Sequence, residues 1–111
     1  MNLGMALIFL TLAAVLEAGG DALVRHGLFS GSGATRFAFI VLGGLVLLLY
    51  GCSVNLPRWD FGRLLGVYVA LFFVVAQAIA WIAFHERPSL GILVGGALIV
   101  SGGLVMTLWR T

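Results

Sequence analysis

From Leu3 to Val24 the chain carries only two ionisable side chains, Glu17 and Asp21, and the run closes on Arg25 and His26. A membrane-spanning helix needs about 20 predominantly apolar residues, and this stretch supplies them. Three further runs do the same: 37–54, 64–84 and 89–109. With the first at 3–24, four spans and their connections use up nearly all of the 111 residues. Only 9% of residues are charged and 62% are hydrophobic, whereas soluble domains carry about a quarter charged. The reading is an all-α integral membrane protein, a single four-helix transmembrane domain over 1–111. A cleavable leader is not expected: no Lys or Arg precedes the first run, and no small-x-small site follows it.

The connections are short. Gly27–Arg36, GLFSGSGATR, is rich in Gly and Ser and reads as a flexible loop. Asn55–Arg63, NLPRWDFGR, combines Pro57 and Trp59 with two arginines and Asp60, a composition suited to a tight turn in the headgroup zone. His85-Glu86-Arg87 form a solvated polar turn, and Pro88 is placed to open the fourth helix.

All six basic residues are arginines at the ends of apolar runs, so they read as interfacial anchors and not as a nucleic-acid face. Four spans put Arg58, Arg63 and Arg110 on one side and Arg25, Arg36 and Arg87 on the other. Orientation follows the Lys/Arg bias of short loops. Here the two sides balance, which favours insertion in both orientations and assembly as antiparallel pairs; one miscounted boundary arginine would restore a single orientation.

Glu17, Asp21 and Arg25 are spaced i, i+4 and i+8 and share one helix face. A carboxylate deep in an apolar span costs about 2.5–3.5 kcal/mol on insertion scales. Desolvation and a second nearby carboxyl both favour the protonated acid, so Glu17 is suited to trading a proton for a cation. The duller possibility is a Glu held by a neighbouring helix; direct pairing with Arg25, about 12 Å along the axis, is out of reach. Asp21 can pair with Arg25 one turn on, or line the same cavity as Glu17. Gly19-Gly20 permits close helix approach.

Tyr68, Tyr50 and Trp81 can line a cation site with aromatic faces or donate to a carboxylate, and each can equally serve as an interfacial belt residue. Trp59 and Trp109 fit the belt better. Gln77 is an interhelical hydrogen-bond partner or a substrate contact. Gly95 and Gly102, seven apart in the fourth run, offer a small-residue stripe for self-association, or for packing within the chain.

Enzyme readings fail on inventory. The sequence has no H-E-x-x-H, G-x-S-x-G or Walker A pattern. The lone Cys52 and two distant histidines offer no disulfide and no metal constellation, so no cofactor or metal is expected.

Taken together, Glu17 in an apolar first helix, Tyr68 early in the third and G-x6-G at Gly95 and Gly102 resemble the small multidrug resistance superfamily. LAAVLEAGG around Glu17, Tyr50-Gly51, and Phe61-Gly62-Arg63 followed by Tyr68 look most like its YnfA-type branch, within the drug/metabolite transporter superfamily. The resemblance implies an antiparallel, dual-topology homodimer in the bacterial cytoplasmic (inner) membrane. Its two copies of Glu17 would share one cavity, bind protons or a small cationic substrate, and face alternate sides in turn. Three features depart from the pattern: Asp21 stands where an uncharged residue is usual, Ala70-Leu71-Phe72 replaces a glycine-rich kink, and Tyr68 stands near a position where tryptophan is frequent. The expectation is a proton-coupled exporter of small organic cations. The rivals are a non-transporting membrane subunit or scaffold, and a lipid-linked flippase component.

Overall fold

The computed structural model describes residues 2–109; Arg110, used in the arginine tally above, lies outside them. Four helices follow in order: α1 (Leu3–Ser30), α2 (Gly33–Val54), α3 (Phe61–Phe84) and α4 (Leu90–Leu108). No strand occurs among the described residues. Each helix is long and apolar enough to cross a membrane.

The first connection differs from the expected flexible loop. α1 runs on through Arg25 and His26 to Ser30, and α2 begins at Gly33, leaving only Gly31 and Ser32 between them. The glycines of this segment pack: a Cβ on Gly27 would lie 3.0 Å from Phe39 Cβ, and one on Gly31 would lie 2.8 Å from Arg36 Cα. The true turn is taken at Gly33, with φ +57°, where glycine carries no Cβ penalty. At 28 residues, α1 is about 42 Å long, beyond the ~30 Å hydrocarbon thickness, so its last turns extend past the bilayer core.

The other ends are capped by side chains and by backbone geometry. Met5 N donates to Asn2 Oδ1 at 2.8 Å to start α1, and Ile92 N donates to Ser89 Oγ at 3.2 Å to start α4. Pro88 therefore stands outside α4, before its capping residue. α3 stops in a left-handed residue, His85 (φ 56°), with Glu86 N donating to Ala80 O at 3.0 Å to close the helix end.

α1 packs against α2 and α3, and α3 also carries α4, giving the spatial order α2–α1–α3–α4. The slab measures 52 × 34 × 19 Å. The main contacts join each helix to its neighbour in that order, so the helices form a row. Gly20 and Gly43 bring α1 and α2 together: a Cβ on Gly43 would lie 2.6 Å from Val24 Cγ2 and 2.8 Å from Gly20 O. Of the Gly19-Gly20 pair, only Gly20 serves this approach, since nothing lies within 4 Å of a Cβ on Gly19. Gly96 and Gly103 do the same for α4, against Phe73 and Ala70 of α3.

The fully buried core is small. Leu10, Ala13 and Ala14 of α1 meet Val54 of α2 and Leu64, Val67 and Tyr68 of α3, with Tyr50 and Trp59 packed alongside. No charged or polar side chain among the described residues is fully buried. Elsewhere the helices present large apolar side chains outward, Ile82 and Leu90 each being 76% exposed. An apolar exterior of this extent marks a surface made for lipid or for another apolar partner.

Candidate functional site

Glu17 lies at the middle of α1, just beyond the Leu10–Ala14 core, and half-buried between helices. The Tyr68 hydroxyl of α3 donates to Glu17 Oε1 at 2.8 Å. Tyr68 is 4% exposed, so this polar contact is built into the core and not spread over the surface. A hydrogen bond to a charged acceptor is shorter and stronger than a neutral one. Its position at the seam of three helices links the middle of α1 to the second turn of α3.

Aromatic rings extend the contact. Tyr50, near the end of α2, lies 5.7 Å from Tyr68 between ring centroids, and Phe72, one turn further along α3, stacks on Tyr68 at 6.0 Å. These spacings fall within the range of favourable ring pairing. The result is an acid held by a tyrosine whose ring pairs with two further rings, and aromatic faces attract cations.

Asp21 follows Glu17 by one turn on the same face of α1 and is exposed. It lines a cleft of about 230 Å³ between α1 and α3, together with Arg25, Phe72, Phe84 and Glu86. The Arg25 guanidinium turns to aromatic partners, 5.1 Å from the Phe29 ring centroid and 5.8 Å from that of Phe84.

The structure does not bring Gln77 and Trp81 to this cluster. They follow Tyr68 by nine and thirteen residues, about 180° and 220° around α3, on the side that carries Ala70 and Phe73 toward α4. Trp81 is 61% exposed. Gly95 and Gly102 also stand apart: a Cβ on either would meet nothing within 4 Å, so the packing of α4 on α3 leaves their stripe uncovered.

Two features could not be read from the sequence. Phe72 joins Tyr68 to the cleft, and i+4 spacing was the only signal for it. Arg63 also makes specific contacts: its Nε and Nη2 donate to Met106 O and Thr107 O, each at 3.3 Å, while its guanidinium lies 4.7 Å from the Trp59 ring centroid. It thereby fastens the start of α3 to the last turn of α4.

A protein from Herpetosiphon aurantiacus named a UPF0060 membrane protein is 32% identical to this chain over 111 residues, covering 98% of both. The chain belongs to the UPF0060 membrane-protein family, the YnfA family. UPF0060 membrane proteins of Rhodococcus erythropolis (32% identical, 96% of this chain and 97% of the relative) and Mycolicibacterium vanbaalenii (36%, 91% and 92%) agree. No family model and no solved structure matches the chain. As a UPF0060 protein it falls in the drug/metabolite transporter superfamily, with the four-helix architecture of the small multidrug resistance type. Its four apolar helices make it a multi-pass membrane protein, and none of these UPF0060 relatives is named as an enzyme.

Proposed function

We propose that this UPF0060 protein is a proton-coupled exporter of small organic cations in the bacterial cytoplasmic membrane, working by alternating access as an antiparallel, dual-topology homodimer. The observation that carries the reading is the Tyr68–Glu17 hydrogen bond, 2.8 Å long, at the seam of three apolar helices. An intramembrane carboxyl is costly, and here it is held in a defined position beside ring faces able to receive a cation. Glu17 binds a proton or the substrate, Tyr68 orients the carboxyl, and Tyr50 and Phe72 supply aromatic walls. Protons displace the cation on the outward side, and the cation displaces protons on the inward side.

Two chains are required because one row of four helices encloses too little space for a pathway. The uncovered stripe at Gly95 and Gly102 supports self-association through α4. In proteoliposomes with an imposed proton gradient, Glu17→Gln is expected to abolish proton-linked cation uptake while the protein remains helical and dimeric. Undiminished uptake would contradict exchange at Glu17; the non-transporting scaffold reading instead expects no uptake from the wild type, with function removed by Gly95→Leu and not by Glu17→Gln.

A further inference from the structure

The cleft above Glu17 has a construction of its own. Ala18 and Ala22 of α1 face Ala76 and Ala80 of α3, and these small side chains hold about 230 Å³ open between the helices. That volume falls below the ~300–1,000 Å³ of sites for drug-sized ligands, which limits the occupant to a compact one. Phe72 forms part of the wall and also stacks on Tyr68 at 6.0 Å, so one ring adjoins both the cleft and the partner of Glu17. Asp21, one turn from Glu17 on the same face of α1, and Glu86 of the α3–α4 turn are also among the lining groups. Two carboxylates thus face one guanidinium, and the lining carries a net negative charge.

The cleft already holds a cation of the protein's own. The Arg25 guanidinium is among its lining groups and lies 5.8 Å from the Phe84 ring centroid, within the ~6 Å at which a cation is drawn to an aromatic face. A planar, delocalised organic cation has the same chemistry as that guanidinium and would seek the same place.

We propose that this cleft is an antechamber for a compact, planar organic cation, and that Arg25 is a tethered cation occupying its aromatic face until the substrate displaces it. The inference rests on the carrier reading and deepens it. Asp21 and Glu86 draw the cation in, Phe84 receives it as Arg25 swings out, and Phe72 leads it on toward Glu17. Arg25 offsets one of the two carboxylates while the antechamber is empty, which disfavours capture of small inorganic ions.

The test uses phenylguanidinium and the full-length protein in detergent micelles, with the dissociation constant read by calorimetry at constant ionic strength. Arg25→Gln removes the competitor and is expected to tighten binding about tenfold, the scale of one desolvated cation–ring contact. Arg25→Lys, which keeps a tethered cation, should stay near the wild-type value, and Ala76→Leu, which fills the cleft, should weaken binding. Unchanged or weaker binding by Arg25→Gln overturns the proposal. A readout on the wild-type protein guards against a misfolded variant: the Arg25 Nε–H proton resonance, shifted by the ring currents of Phe29 and Phe84, should move toward its free-arginine position as phenylguanidinium saturates. A resonance that stays fixed through saturation also overturns it. The two readings fail separately. Undiminished uptake by Glu17→Gln removes the proton exchange at Glu17 on which the carrier reading stands, whereas uptake abolished by Glu17→Gln with no affinity change in Arg25→Gln leaves that reading and removes the antechamber.

Discussion

Tyr68 is the residue on which the site turns, because it is both part of the buried core and the donor to Glu17. The two roles separate by magnitude. Interhelical hydrogen bonds in membranes contribute about 0.6 kcal/mol on average, too little to decide the fold. Tyr68→Phe keeps the ring paired with Tyr50 and Phe72 and is expected to lower the detergent-solution unfolding free energy by about 1 kcal/mol or less. Cation uptake should fall by about ten- to a hundredfold, since a bond to a charged acceptor contributes about 1.5–3 kcal/mol where it is used. Equal, small effects on both measurements would assign Tyr68 to packing alone. At this scale the sequence was partly legible. The residue types of Glu17, Tyr50 and Tyr68 pointed to one another, yet Gln77 and Trp81 were grouped with them although their spacing from Tyr68 turns them to the far side of α3. The Arg25 placement over Phe29 and Phe84 is a tertiary contact, and no local pattern announces it.

Among the helices, hydropathy and length sufficed to locate all four, and they failed at the first connection. Composition treats glycine as a loop former, whereas Gly27 and Gly31 are small because Arg36 and Phe39 of α2 lie against them. Which glycine of a pair packs is equally hidden in sequence, and the structure separates them. Gly43 faces Val24 and Gly20, while nothing lies within 4 Å of a Cβ on its neighbour Gly44. Gly43→Val must therefore push α1 and α2 apart, at a cost of about 1–3 kcal/mol for overpacking. Gly44→Val should be close to neutral. Thermal unfolding of the two variants in the same detergent checks the contrast, and equal melting temperatures would contradict the α1–α2 contact.

The whole molecule is a row of helices with its acid half-covered and its outer surface apolar. Such a row fits a larger assembly better than a lone carrier, and α4 supplies a natural comparison. Gly103 packs against Ala70 within the chain, whereas Gly102 faces open space. Gly102→Leu is expected to leave the protomer's helical content intact and shift the protein from dimer to monomer, as read by light scattering or by cross-linking in liposomes. A Gly102→Leu protein that remains dimeric would move the interface elsewhere. The assembly matters only if it brings two acids to one exchange site. The direct measurement is proton release from the unbuffered, purified protein on titration with phenylguanidinium. The wild type should release protons in proportion to the cation bound, and Glu17→Gln should release none. Saturable binding without proton release, or equal release from Glu17→Gln, would contradict the exchange of a proton for a cation at Glu17.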